Sequence, residues 1–523
     1  MQSPGCGPFA QVSGRKIGGW EEASEGWAEA SEGLAGASEG RKKAREGGKK
    51  ANEGWAEASE GRVVASREGM GGMTGSASAP SATGSIPSRR TLDREIGALA
   101  IPALGALAAD PLVSLVDTAF VGRLGTVPLA ALGVNAAIFS MTFVVFNFLA
   151  YGTTPRVARA WARGDRAEAG RAILQALTLA VSVGVVATLA LLAAAGPLVA
   201  LMGAAGELRD PAISYLRIRA LAGPAVLLIM AGHGVFRGLQ DTRTPLRITL
   251  ALNLVNLVLD PLLIFGLGWG LEGAAWATVV AQWCGAGAFV WLLFGPRREL
   301  LGDRPRLPSL LELLPFLRVG GELSIRTFAL IGTMTLATAV ATRVGTAEVA
   351  GHQVAVQLWM LLALVVDAVA VAAQALVGRY RGEGNGQALR AVTNRLLFWG
   401  GLTGLALTVL FMAAAPWLPR VFTDDPDTLI QVAAVLPFVV WMQPLNALVF
   451  VWDGIFMGTE EFGYLALQMV LSAAAAAAVL LLVLPLGWGL PGVWWGIVAL
   501  MGVRGVTLGF RYWSRRGPGR GER

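Results

Sequence analysis

Residues 122–130 read "GRLGTVPLA" and residues 342–350 read "TRVGTAEVA", one pattern displaced by 220 positions. The same displacement carries Val157, Arg159 and Gly164 onto Val377, Arg379 and Gly384, and "GVFRG" (234–238) onto "GIFMG" (454–458). One residue is then lost, and "GWGLEGAAW" (268–276) returns as "GWGLPGVWW" (487–495). A chance echo of glycine-rich loops does not hold one offset through three separate loops and return in a fourth with a single residue lost. The chain is therefore an internal duplication, and what is duplicated is a set of apolar spans. Apolar stretches fall near 95–122, 127–152, 171–201, 211–235, 245–266 and 271–294, then near 312–342, 347–377, 391–416, 430–457, 464–486 and 490–511. Each is long enough to cross a hydrocarbon core of about 30 Å. An even number of spans per repeat makes the halves parallel, related by an axis along the membrane normal. The expected fold is an all-α membrane protein, twelve transmembrane helices in two parallel six-helix lobes.

Composition agrees. Of 523 residues, 54% are hydrophobic and 15% charged, with a mean hydropathy of +0.56. A soluble domain carries about a quarter charged residues. The net charge of +7 does not point to nucleic acid, because the arginines lie between apolar spans. Arg89, Arg90 and Arg94 precede the first span. Arg156, Arg159, Arg163, Arg166 and Arg171 follow the second, and Arg237, Arg243 and Arg247 the fourth. Further clusters follow the sixth (Arg297, Arg298, Arg304, Arg306), the eighth (Arg379, Arg381, Arg390, Arg395) and the twelfth (Arg511, Arg515, Arg516, Arg520). The other loops are nearly bare of arginine. This alternation places both termini in the cytoplasm of a multi-pass protein of the cytoplasmic, or inner, cell membrane.

Boundaries follow: a leader at 1–92, a first lobe at 93–296, a cytoplasmic linker at 297–311, a second lobe at 312–513 and a basic cytoplasmic tail at 514–523. Within the leader, residues 20–69 repeat every seven: "WEEASEG", "WAEASEG", "LAGASEG", "RKKAREG", "GKKANEG", "WAEASEG", then the looser "RVVASREG". One large apolar position per unit gives no coiled-coil seam, and a glycine closing each unit disfavours helix by about 1 kcal/mol. Disorder is expected. An exact array before "MGGMTGSASAPSATGSIPSRR" also suggests an over-extended gene start, with Met73 as a natural beginning. The leader has no secretory apolar region.

Cys6 and Cys284 make no disulfide framework or zinc cluster, and two histidines exclude a multi-histidine metal site. No nucleophile–base pairing is found, so neither catalytic nor metal-ligating residues are assigned. No phosphate-loop motif is present, which disfavours ATP-driven pumping, and no filter motif recurs as a channel would want. Secondary transport remains, and the polar residues inside the spans are its candidates.

Asp117 of span 1 is the sharpest, since a carboxylate at the bilayer centre costs roughly +2.5 to +3.5 kcal/mol on insertion scales. Asp110 lies seven residues, two turns, earlier on the same face and precedes Pro111, which opens a local role at a kink. On span 5, "NLVNLVLDPLLIFG" sets Asn253, Asn256 and Asp260 on one polar stripe ending at Pro261. The stripe suits a proton relay or a Na⁺ site, and equally helix–helix hydrogen bonding. Span 7 carries Arg318, Glu322 and Arg326 at successive i+4 steps, read first as an internally paired ladder and second as a substrate contact. Asp367 on span 8 is a lone acid whose repeat mate is Asn147, and Asp453 on span 10 mates with His233. Tyr215, Gln282, Gln353, Gln357 and Gln374 are weaker cavity candidates.

"PLVSLVDTAFVGRLGTVPLAALGV", "GVFRGLQDTRTPL", "NLVLDPLLIFGLGWGLEGAAWAT" and "AGHQVAVQLW…AAQALVGRYRGEG" resemble the multidrug and toxic compound extrusion (MATE) antiporters, within them the branch named for DNA-damage-inducible protein F. The likeness covers about 93 to 513 and spares the leader. It implies cation-coupled efflux, H⁺ or alternatively Na⁺ entering as an organic, often cationic and amphipathic, compound leaves. It also implies a coupling site in the first lobe: an acid on span 1, an Asn/Asp pair on span 5, a threonine on span 6 and polar residues on span 4. Those fall on Asp117, Asn256, Asp260 and Thr278, with Tyr215 on span 4. The sodium-type branch keeps acids on spans 7 and 10. Glu322 and Asp453 lie on those spans, but no motif carries that role over, so H⁺ is the expected coupling ion. Asp110, Tyr215, Asn253, Gln282, Glu322, Arg326 and Asp367 are the expected substrate-cavity residues. No cofactor is expected. The partners are a small organic substrate and the lipid bilayer, with the chain working as a monomer. Two rivals share the fold: a lipid-intermediate or polysaccharide flippase, and an organic-acid (citrate-like) exporter.

Overall fold

The computed structural model describes residues 86–301, 306, 308–423 and 425–514, and every regular element among them is helical. The heptapeptide leader, part of the linker and the tail beyond Ser514 lie outside the described residues. In hydrocarbon a backbone must satisfy its own hydrogen bonds, and a helix does so within one segment. Ten helices are long and apolar enough to cross a membrane singly: Arg89–Gly122 (span 1), Thr126–Ala162 (2), Arg166–Leu201 (3), Arg243–Gly266 (5), Gly270–Phe294 (6), Leu311–Val344 (7), Thr346–Gly382 (8), Gly386–Ala414 (9), Phe462–Leu486 (11) and Gly489–Trp513 (12). Spans 4 and 10 are broken helices, Gly206–Ala220 with Gly223–Gly238 bent by 48°, and Pro426–Trp441 with Gln443–Gly458 bent by 51°. Span 1 begins at Arg89, capped by the Ser88 hydroxyl accepting from the Thr91 amide at 3.2 Å, so the first lobe starts before residue 93.

The duplication is visible in the backbone. Gly164 and Gly384 both sit in the left-handed region, at φ 73° and 69°, and turn the chain into the caps Asp165 and Asn385. Among the described residues, Gln240 and Glu460, again repeat mates, are the non-glycine residues with positive φ, at 62° and 60°. Each bent span restarts with a proline in its first turn, Pro224 and Pro444, where a missing amide hydrogen costs nothing. Packing repeats as well: span 2 lies on span 4 as span 8 lies on span 10, and span 1 on span 5 as span 7 on span 11.

The lobes meet along spans 2 and 8, with span 1 also against span 8. Small residues let the backbones approach: a Cβ on Gly382 would stand 2.5 Å from the Arg159 carbonyl oxygen. At the arginine-rich end the lobes are tied by charge. Arg395 and Trp399 of span 9 donate to Asp93 of span 1, the guanidinium at 2.5 and 2.8 Å and the indole at 2.7 Å. Arg379 and Tyr380 of span 8 donate to Glu95 at 3.2 and 2.8 Å, and Arg159 of span 2 pairs with Glu460 at 2.9 Å.

Candidate functional site

In the first lobe, the first half of span 4, Arg209–Ala220, packs on spans 2, 3 and 6 and carries Tyr215 and Arg219, one turn apart. Asp117 and Asp260 turn their carboxyl groups toward each other within hydrogen-bonding reach, and Asn256 adjoins Asp260 from the preceding turn. With both acids ionised neither can donate. Oδ1 of Asp117 and both oxygens of Asp260 are then buried without a partner. A single proton closes that hydrogen bond. Asp260 is 1% exposed, at the point where Pro261 ends the α-helix and a π-helical turn, Leu262–Gly266, begins. The proline's missing amide releases the regular ladder there, and π turns gather at such functional breaks.

Arg219 lies beside both acids and beside Tyr215. Its guanidinium covers the Phe139 ring at 4.8 Å, and Nη1 is buried without a hydrogen-bond partner. Asp117, Tyr215, Arg219 and Thr278 line a cavity of about 400 Å³ with Phe139 and Asn135. The Asn135 amide is fixed by donating to the carbonyls of Ala131 and Ala212 at 2.8 and 3.1 Å.

Of the four expected coupling residues, Asp117 and Thr278 share this cavity, while Asp260 faces Asp117 and Asn256 adjoins it from outside the cavity lining. Arg219 and Asn135 escaped the sequence reading. Arg219 is one turn from Tyr215 and shares its face, and Asn135 is a lone amide in an apolar span. Both signals were present in the residue pattern.

The expected cavity residues divide. Asp110 accepts from Asn253 at 3.1 Å, tying span 1 to span 5, so its partner is interhelical rather than the local backbone at Pro111. Gln282 and Glu322 line neither cavity described here. The ladder on span 7 holds only in its first rung, Arg318 to Glu322 at 3.3 Å. Arg326 reaches across instead to the buried carboxylate of Asp453 on span 10 at 2.6 Å, away from Glu322, whose side chain is 25% exposed. Arg504 of span 12 donates to the same Asp453 oxygen. Asp367 is not a lone acid: it faces Arg326, Arg237 and Arg504. Arg237, expected in a cytoplasmic loop, is 6% exposed inside span 4. Arg237, Arg326, Asp367 and Asp453 line a second, smaller cavity of about 60 Å³ between the lobes, and Arg504 lies behind Asp453 outside its lining.

The MatE family pattern matches residues 102–262 and 324–485, one match to each lobe. Protein DETOXIFICATION 44, chloroplastic, of Arabidopsis thaliana is 37% identical over 81% of this chain and 83% of its own length. DNA damage-inducible protein F of Escherichia coli (strain K12) is 27% identical over 80% of this chain and 91% of its own. A crystal structure of MATE in the bent conformation superposes with a TM-score of 0.74 at 26% identity, over 81% of this chain and 95% of that one. A MOP superfamily transporter from Pyrococcus furiosus superposes with a TM-score of 0.73 at 25% identity, over 80% and 95%. With the family's pattern repeated in both lobes and close relatives spanning nearly all of the membrane region, the chain belongs to the MatE family of multidrug and toxin efflux transporters.

Proposed function

We propose that this transporter is a proton-coupled antiporter of the cell membrane, its arginine-rich end cytoplasmic, exporting organic compounds. The observation that carries the reading is the facing of Asp117 and Asp260 beside Arg219. Two carboxylates and one guanidinium leave a net charge of −1, and one proton brings it to zero. A proton and a monocationic compound therefore compete for the same charge. Mutually exclusive binding is what exchange requires, and rocking of one lobe against the other alternates access. The cavity wall of Phe139, Leu129 and Leu132 suits an amphipathic compound. Arg219 also favours H⁺ over Na⁺: a fixed positive charge stands where sodium needs a shell of oxygens, whereas a proton needs one carboxylate. Both cavities are built within one chain, consistent with a working monomer.

The test is proteoliposome exchange of an ethidium-like cation driven by an imposed pH gradient or sodium gradient. Flux driven by the pH gradient, lost in both Asp117→Asn and Asp260→Asn, is expected. Wild-type exchange in both variants would sink the assignment.

Export of organic acids is a second reading, favoured by the arginines of the inter-lobe cavity. The Pyrococcus furiosus neighbour is itself described by reverse polarity of its binding pocket and a different function.

A further inference from the structure

Span 1 meets span 5 in two rungs. Asp117 faces Asp260, and Asp110 accepts from the Asn253 amide at 3.1 Å. Seven residues separate the rungs on both helices, so they stand two turns, about 10 Å, apart on one face. The cavity beside Asp117 runs down span 1 to Ser114, one turn from Asp110, which is itself exposed. Charge distinguishes the rungs. Arg219 stands by Asp117 and Asp260, leaving that rung at −1. Among the described residues Asp110 makes no ion pair, and no charged side chain of spans 2, 5, 6, 8 or 9, which pack on span 1, acts on it. An amide orients a carboxylate without neutralising it, and an ionised carboxylate within a span is costly. The first lobe therefore holds two separate unit negative charges. In the second lobe the mates of Asp110 and Asp117 are Leu330 and Ala337, so this pair of charges belongs to one lobe.

We propose that the first lobe binds organic dications, one cationic group at Asp117 and Asp260 and the other at Asp110, with the two charges about 10 Å apart. The inference deepens the proton-exchange reading and rests on it. A monocation satisfies one rung and leaves the other carboxylate to hold a proton. A dication of matching length satisfies both, and two protons replace it when the lobe returns without it, so charge balances in either case. The seven-residue spacing sets the length, and a dication whose charges lie close together reaches one rung only. Asn253 is a positioning residue: it holds one oxygen of Asp110 against span 5 and leaves the other for the ligand. Away from bulk water each carboxylate attracts a cation more strongly than it would in solution.

The experiment is equilibrium binding of radiolabelled hexamethonium and hexyltrimethylammonium, which share a chain and differ by one charge, to the purified full-length protein in detergent. Extended hexamethonium nearly spans the two rungs. The wild type is expected to bind it about tenfold or more tighter than the one-headed compound. Asp110→Asn should erase that preference, and Asp110→Glu, which keeps the charge, should retain it. Monodispersity and thermal stability of both variants are measured alongside. The ethylene-linked bisquaternary analogue, too short to bridge, tests the spacing on the wild type alone and should show no preference. No saturable binding of hexamethonium, a preference that survives Asp110→Asn, or an ethylene-linked analogue that binds as tightly as hexamethonium overturns the proposal. Asp117→Asn separates the two readings. Unchanged binding of both compounds there sinks the assignment of Asp117 and Asp260. Weakened binding of both there, with the preference intact in Asp110→Asn, sinks the dication inference alone.

Discussion

Asp117 is tolerable in span 1 because it is not isolated. It meets Asp260, and Arg219 stands by both. The three charges behave as one unit whose net value a single proton changes from −1 to zero. Replacing Arg219 by glutamine would leave −2, and −1 after one proton. We expect Arg219→Gln to favour dications over monocations, so that propidium competes with the pH-driven flux of ethidium more strongly than in the wild type, by about tenfold. An unchanged competition ratio would show that Arg219 does not set the site's charge. Both acids and Asn256 were legible because a polar residue in an apolar span stands out, whereas Asn135, a lone amide, was passed over. Arg219 and Arg237 were missed. Arg219 was passed over inside span 4, and Arg237, read as a marker of loop orientation, was placed outside the membrane, while helix packing turns it inward. Arg326 fails differently: an i+4 neighbour is visible in sequence, but a partner 127 residues away on another helix is not.

At the scale of the element, apolar stretches located the span ends to within about six residues, except that span 2 runs to Ala162 rather than 152, and missed what happens inside them. The bends in spans 4 and 10 come from helices that stop and restart at a proline, with span 3 or span 9 pressed against the break. A Cβ on Gly184 of span 3 would stand 2.5 Å from the Pro224 Cα, and its mate Gly404 would put one 2.7 Å from the Pro444 Cα. Such contacts are backbone to backbone and cannot yield by rotating a side chain. Gly184→Leu is therefore expected to destabilise the fold by about 1–3 kcal/mol, the usual cost of overpacking. Gly196→Leu on the same helix, where nothing lies within 4 Å, serves as the control and should fall close to wild type. Thermal unfolding in one detergent, followed by the loss of monodisperse protein, compares the two. Equal midpoints would mean that the break in span 4 is held by something other than this contact. The same limit applies to span 5, where Pro261 was read as the end of the polar stripe and the π turn that follows it was not foreseen.

For the whole molecule, the repeat offset revealed two parallel lobes because loops between duplicated spans keep their glycines. How the lobes touch was hidden: Arg159 and Arg379 are repeat mates, but the acids they and Arg395 meet, Glu460, Glu95 and Asp93, have no acidic mates in the other half. Asp93 and Glu95 at the start of span 1 reach spans 9 and 8 of the other lobe, and Glu460 reaches Arg159. These contacts cluster at the arginine-rich end, so they must break for a rocking motion to open that end. Partly exposed ion pairs contribute about 0–1 kcal/mol each, more when several form a network. Removing two should shift a two-state balance about five- to tenfold toward the separated state. The mates Ala167 and Gln387 are exposed, one on each lobe beside these pairs, and suit spin labels once Cys6 and Cys284 are replaced. Asp93→Asn with Glu95→Gln is expected to add a longer inter-label distance by electron–electron double resonance. About 1 M KCl should move the wild type the same way, because the Debye length then falls to about 3 Å. A distribution that stays at the wild-type distance under both treatments would mean that the buried glycine contacts between spans 2 and 8, rather than the ion pairs, hold the lobes together at this end.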